Sequence, residues 1–340
     1  MKVWKVTHPG FITLEDLGPS EVRKDCVKVK MLAATVSTTE KLVFKGTLKG
    51  CTFPRVPGRQ GVGMVSEVDE SVHKFRRGDR CYVSSQVACN ECYFCRIGRK
   101  SECSHLQTYG KDIDGVLSDF AIISTDNLYL LPDRITDNQA VFIETIALAI
   151  NAINTLNIGK GDHLVILGAS VFGLIMAQVA MAHQAVPVLV DKRPDRLLLA
   201  EELGVYYCVN GAKEDLAKKV FSITGGKMAG RVVCSMDCAD FDYGTCADIV
   251  SNYGKIGFVG TDSEISEINV DLMQIISKSV TTYSINHAND NISAAINMLA
   301  RGDVNVDKLI TPIKFSEIGA YLERYAGGED FIQIVATADK

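Results

Sequence analysis

Between residue 1 and about residue 130 the chain alternates short β-branched apolar runs with Gly, Asp and Pro turns: "VKVKMLAATV", "GVGMVSEV", "RCYVSSQV" and "SDFAIIST". Apolar and polar positions that exchange at nearly every step put one side of a strand on a core and the other in water, so this region reads as a β-rich, barrel-like domain. In "TDNQAVFIETIALAINAINTLNIGKG" the period lengthens, and Val141, Ile143, Ile146, Ile150, Ile153 and Leu156 fall at helical spacing. Thr136 stands where it caps the start of that helix and Gly159 where it ends it, making a bridge into a second domain. From "DHLVILGASVFG" to "GKIGFVG" uninterrupted apolar strands alternate with amphipathic helices, the pattern of a doubly wound parallel sheet covered on both faces. After about residue 285 the pattern breaks into a helix ("NISAAINMLARG"), a strand ("KLITPIKF"), another helix and the strand "FIQIVAT", too few pieces for a third domain.

Composition agrees with this α/β division. With 340 residues, 47% hydrophobic and 23% charged, the chain has enough apolar material for two buried cores. A net charge of −5 and no long Lys/Arg run leave no basic field for a polyanion, so nucleic acid is not an expected partner. Lys2, Lys5, Glu15 and Asp16 interrupt the first twenty residues, and no apolar run approaches bilayer length, so the expected location is cytoplasmic and no membrane partner is expected.

Four of the eleven cysteines crowd into "CNECYFCRIGRKSEC", Cys89, Cys92, Cys95 and Cys103. Two-residue gaps let a tight turn aim neighbouring sulfurs at one point, and tetrahedral zinc takes four thiolates with no position left open. One structural zinc per chain is the expectation, with an iron–sulfur cluster or four reduced thiols as alternatives. The second chemical signal is "HLVILGASVFG", followed eighteen residues beyond its last glycine by Asp191 in "PVLVDKR". A strand ending at Gly168 and a helix starting near Gly173 direct backbone N–H groups and the positive helix end at a pyrophosphate. Asp191 at the end of the next strand suits two ribose hydroxyls and favours NAD(H) over NADP(H), an argument blunted by the adjacent Lys192 and Arg193. The candidate cofactor contacts are Gly168, Ser170, Val171, Phe172 and Gly173 in the turn, and Asp191, Lys192 and Arg196 beyond the second strand. Ser170 replaces the middle glycine of G-x-G-x-x-G, so its Cβ is expected to crowd the pyrophosphate unless its hydroxyl donates to a phosphate oxygen. A strand-to-helix turn that binds nothing is the alternative.

The order of these parts, with the cysteine lobe and "RPDRLLLAEELG", resembles the zinc-containing medium-chain alcohol and polyol dehydrogenases near the threonine and sorbitol dehydrogenase branch. The resemblance runs over essentially the whole chain. It implies a GroES-like catalytic domain from residues 1–150 completed by a return segment 286–340, a Rossmann domain at 151–285, and a cofactor held in the cleft. It also implies a homodimer or homotetramer joined partly through Rossmann edge strands, for which "GKIGFVGTDSEISEINVD" is the expected segment.

The family's catalytic-zinc segments read Cys-Gly-Thr/Ser-Asp near position 37 and Gly-His-Glu near 58, and here the chain departs from them. "VSTTEKL" puts Ser37 at the cysteine and Leu42 at a proton-relaying histidine, while "PGRQ" puts Arg59 and Gln60 at the His-Glu pair; Glu144 in "FIETIALA" still matches a ligand position. A hydroxyl is a poor zinc ligand and a guanidinium has no lone pair to give, so no catalytic zinc is expected. Cys51 is the nearest spare thiol and does not rebuild a site alone. The expected replacement is an Arg59–Glu144 ion pair, with Ser37, Thr39, Arg59 and Glu144 as the candidate catalytic set and Thr39 the surviving relay hydroxyl. That set either polarises a carbonyl or carboxylate or only satisfies itself in a vacated site. Of the histidines, His287 alone is considered near the cleft. Asp237 and Cys238 stand where the family has Ser/Thr-Gly beside the cofactor. Two functions are therefore expected: a metal-free NAD(H)-dependent oxidoreductase acting on a small molecule, or a non-catalytic descendant that binds a nucleotide or other ligand.

Overall fold

The computed structural model describes residues 1–18, 21–238, 241–260, 265 and 267–339. The chain divides into two units, Met1–Glu144 with Leu309–Lys340, and Thr145–Lys308. In the first unit the strand Cys26–Val36 is the spine of a seven-stranded sheet. It pairs antiparallel with Gly61–Val68, with Phe120–Ser124 along its first half and with Gln333–Thr337 along its last residues. Val27, Val29, Met31, Val65, Val83 and Ile123 form the core beneath it, as the alternation of those runs requires.

The N-terminal hairpin Lys2–His8/Phe11–Asp16 belongs to the same core, although its charged residues conceal the signal in the sequence. Trp4 is 8% exposed and its indole Nε1 donates to Phe315 O at 2.8 Å. The ring lies so close to Gly319 that any Cβ there would stand 2.7 Å from it, and the hairpin is thereby fixed to the helix Ile318–Ala326 of the return segment.

The second unit holds six parallel strands in the order Tyr207–Asn210, Val186–Asp191, His163–Leu167, Ala229–Ser235, Val250–Val259 and Thr281–Ile285. In chain order this is 3-2-1-4-5-6, which reverses direction between His163–Leu167 and Ala229–Ser235 and opens a switch point at their carboxyl ends.

Several expected boundaries move. The units part at Glu144 and Leu309 and not at 150 and 286, because the helix Ile292–Arg301 and the residues after it pack on the Rossmann unit. Gln178 there exchanges two hydrogen bonds with the Asn305 backbone, at 2.7 and 3.1 Å, and Asn151 Nδ2 donates to His287 O at 2.7 Å. The bridging helix is broken: Thr136 caps only the turn Asp137–Ala140, and a second segment runs Ile143–Leu156. Its end falls at Asn157, which takes the left-handed conformation with φ +53°, while the Gly159 N–H donates to Asp162 Oδ2. The stretch Asp137–Leu156 is, among the described residues, the one helical segment long and apolar enough to cross a bilayer, and 61% of its apolar window is buried inside the protein. The proposed edge segment 254–271 is also corrected, since Val250–Val259 is an inner strand and Thr281–Ile285 lies at the edge; residues 261–264 and 266 lie outside the described residues.

Trp4→Ala should remove about 3–5 kcal/mol of stability through the cavity and the lost indole hydrogen bond. A urea melt of the variant with an unchanged midpoint would contradict this account of the hairpin.

Candidate active site and metal lobe

Cys89, Cys92, Cys95 and Cys103 bring their sulfurs within 4.8 Å of one another, and among the described residues no other group of three or more His, Cys, Asp or Glu does so. The closer sulfur pairs are 3.4 to 3.9 Å apart. A tetrahedron with zinc–sulfur bonds of about 2.3 Å has edges of about 3.8 Å, so the lobe fits the ion. Backbone N–H groups of Cys89, Cys92 and His105 donate to these sulfurs at 3.3 to 3.4 Å. Backbone donors hold the Cys89 thiol below its ordinary value and pull Cys92 down to about 6, whereas burial pushes Cys95 up to about 12, so that thiol gives up its proton only when an ion binds.

The expected polar constellation is assembled, with more members than the sequence indicated. Arg59 follows Gly58, whose φ of +102° and contact with the backbone of Leu117 admit no side chain. Its Nη2 stands 3.3 Å from Glu144 Oε1, and both side chains are nearly buried. Glu144, opening the helix Ile143–Leu156, also accepts from Ser85 Oγ (2.6 Å) and Ser85 N (3.1 Å) and from Tyr82 OH (3.3 Å). The single Tyr82 hydroxyl proton is shared with Gln60 Oε1, the nearer acceptor at 2.9 Å. Burial, with Glu144 beside it, pushes the Tyr82 phenol well above its ordinary value and keeps it a donor.

Thr39, the expected relay hydroxyl, is 3% exposed and accepts from Arg59 Nη1 at 3.2 Å, which positions the guanidinium. Glu40 was not singled out in the sequence, although it falls at the acidic position of the family's Cys-Gly-Thr/Ser-Asp segment. It is 1% exposed; Oε2 accepts Ser37 N (2.8 Å) and lies 2.6 Å from Ser37 Oγ, and Oε1 accepts Arg59 N (3.2 Å). Burial raises its carboxyl above the ordinary value against the lowering pull of the Ser37 hydrogen bonds and the Arg59 charge. Leu42 is buried in the core, and Cys51 packs beside that core with its thiol raised by burial.

In the second unit the strand His163–Leu167 turns at Gly168 into the helix Val171–Ala182. Gly173 cannot carry a side chain, since a Cβ would stand 2.0 Å from Gly168 O. Ser170 is the helix N-cap: its Oγ accepts Gly173 N–H at 3.2 Å and lies 2.5 Å from Ser235 Oγ across the switch point. The serine expected to crowd a pyrophosphate therefore caps the helix, and the N–H groups of Val171 and Phe172, which helix geometry leaves without an intrahelical acceptor, face the anion position. Phe172 itself is buried. Asp191 is 4% exposed and already accepts Ala169 N (2.6 Å) and Arg193 N (2.8 Å), with Cys238 Sγ 3.9 Å away. Lys192 is exposed with its ammonium 5.9 Å from the Phe241 ring centre, while Arg196 is buried beside Asp195. The turn fits a dinucleotide, although the ribose acceptor is more enclosed than expected.

Residues 23–133 match the alcohol dehydrogenase GroES-like domain family, and residues 172–301 match the zinc-binding dehydrogenase family. The chain belongs to the zinc-type medium-chain alcohol dehydrogenase family. It is 29% identical over 316 residues, 92% of each chain, to an uncharacterized zinc-type alcohol dehydrogenase-like protein of Haemophilus influenzae. It is 27% identical over 334 residues to the L-threonine 3-dehydrogenase of Pyrococcus horikoshii, covering 94% of this chain and 92% of that one. Its fold matches a short chain alcohol dehydrogenase, rspB, of Escherichia coli solved with NADH, with a TM-score of 0.89 and 23% identity over 99% of both chains. Family membership makes this dehydrogenase-type chain an NAD(P)-dependent oxidoreductase.

Cys95→Ser should abolish tight zinc retention and expose residues 89–103 to protease, both read on the dialysed protein. Glu40 generates a pH dependence with a definite sign. Because its folded carboxyl is raised, its contribution to stability is fully present below the ordinary glutamate value and is lost as pH rises through its own. Denaturation midpoints measured upward from the ordinary carboxylate range should fall in the wild type relative to Glu40→Gln.

Proposed function

We propose that this family member transfers hydride between NAD(H) and a carbonyl, alcohol or activated double bond without a catalytic zinc. The observation that carries this is how fully Glu144 is engaged by the chain's own donors. A carboxylate offers about four lone-pair sites, and Glu144 receives Arg59 Nη2, Ser85 N and Ser85 Oγ, with Tyr82 OH at 3.3 Å sharing its one proton between Glu144 and Gln60 Oε1. A cation at that carboxylate would need to displace its donors and would meet the positive charge of Arg59.

When bound, the nicotinamide supplies or accepts the hydride. The chain supplies the rest. The Val171 and Phe172 N–H groups and the positive end of their helix hold the pyrophosphate, and Asp191 favours an unphosphorylated ribose, hence NAD over NADP. Arg59, positioned by Thr39 and Glu144, places fixed positive charge against oxygen that becomes anionic, with the Ser37 hydroxyl as donor. Lacking a Lewis acid, such a site forgoes several kcal/mol of alkoxide stabilisation and is better suited to reducing aldehydes, enones or iminium ions than to oxidising simple alcohols. The cysteine lobe carries one structural zinc, and the chain works in the cytoplasm as a homodimer or homotetramer.

A second reading, a nucleotide- or ligand-binding protein without catalysis, is favoured by one feature: both Asp191 oxygens are engaged by the chain's own N–H groups. Metal analysis and fluorescence titration separate the possibilities. One zinc per chain, NADH binding tighter than NADPH, and NADH oxidation by a panel of enones and aldehydes are expected, with Arg59→Met lowering kcat about 10²–10³-fold. Two zinc ions per chain would overturn the metal-free site, and NADH binding with no turnover of any panel member would establish the second reading.

A further inference from the structure

We propose that Glu40 stores the proton exchanged in this reaction and passes it through the Ser37 hydroxyl; the proposal rests on the metal-free reading above. Glu40 is the third residue of the helix Thr38–Lys45, and its acceptance of the Ser37 N–H is half of a capping box. Capping alone does not account for an ionisable group at 1% exposure, because a glutamine makes the same contact without the desolvation cost of a buried charge. The second contact is the informative one, Ser37 Oγ at 2.6 Å from the same carboxyl oxygen.

The arrangement runs from inside to outside. Glu40 is enclosed, Ser37 is half-buried, and the hydroxyl at the family's relay position, Thr39, is buried and bonded to Arg59. Ser37, the less buried of the two hydroxyls and the one that touches Glu40, is the member placed to meet the substrate. The charged group facing Glu40 is Arg59, reached through its backbone N–H and its guanidinium, and that guanidinium is itself neutralised by Glu144. Burial raises the Glu40 carboxyl, which suits it to hold a proton where an ordinary glutamate has lost one.

In reduction, the carbonyl carbon gains the hydride as the nicotinamide is oxidised, and the carbonyl oxygen takes the Ser37 Oγ proton. Ser37 recovers a proton from Glu40, which is left as carboxylate and is reprotonated from water. Oxidation of an alcohol runs the same transfers backward, with Glu40 as the acceptor.

The test measures reduction of an enone or aldehyde by NADH against pH, for wild type, Glu40→Gln, Ser37→Ala and the double variant, alongside NADH binding. The wild-type kcat should fall as pH rises through Glu40's own value. Each single variant should lose about 10²-fold or more in kcat and abolish that limb, with NADH affinity unchanged and the double variant no worse than either single. An infrared measurement gives an independent readout: a protonated carboxyl band at neutral pH, absent in Glu40→Gln and shifted in Ser37→Ala. A merely structural glutamate would leave the pH limb of kcat in place in Glu40→Gln. Turnover with the limb intact in Glu40→Gln, or an ionised Glu40 at neutral pH, would overturn this proposal alone. NADH binding without any turnover would overturn the reading of function and the proposal with it.

Discussion

A carboxylate withdrawn from water must be surrounded by donors or give up its charge, and the first unit is organised around that requirement at Glu144. Its donors come from the segment after Gly58 and from the strand Arg80–Val83 with the residues just beyond it, so one helix-opening side chain is tied to two separate stretches of chain. Removing any one leaves a desolvated acceptor, which costs more than the bond was worth. Where the family's sequence pattern offers an imidazole, this chain offers a guanidinium. That exchange sets a positive charge against Glu144 at 3.3 Å.

How much of this was legible depended on whether the physical signal was local. The parallel strands His163–Leu167 and Val186–Asp191 announce themselves because strands covered on both faces are apolar throughout. The four cysteines are legible because thiolate spacing is set by coordination geometry. The Arg59–Glu144 pair was legible once the missing metal ligand was recognised, since an unpaired buried carboxylate must find a cation. Tyr82 and Ser85 were not, because their role exists only after strand and helix meet, and nothing in "RCYVSSQV" distinguishes a core tyrosine from a donor. Glu40 carried a weak signal at its position in "VSTTEKL" that pattern matching to the missing cysteine and histidine obscured.

Periodicity identifies a helix but not the surface it packs on, and only the fold groups Ile292–Arg301 with the Rossmann unit, where Gln178 bonds the Asn305 backbone just after it. Ser170 shows the same limit at a single residue. As a letter it breaks a glycine motif; as a folded side chain it is an N-cap that shares a hydrogen bond with Ser235.

In the cysteine lobe, sulfurs 3.4 to 3.9 Å apart need only a modest shift to form covalent pairs. The ion that the lobe fits would then serve as an antioxidant cap as well as a clasp, and an oxidant that expelled it would lock the fifteen residues into a cross-linked form that zinc could not re-enter without a reductant.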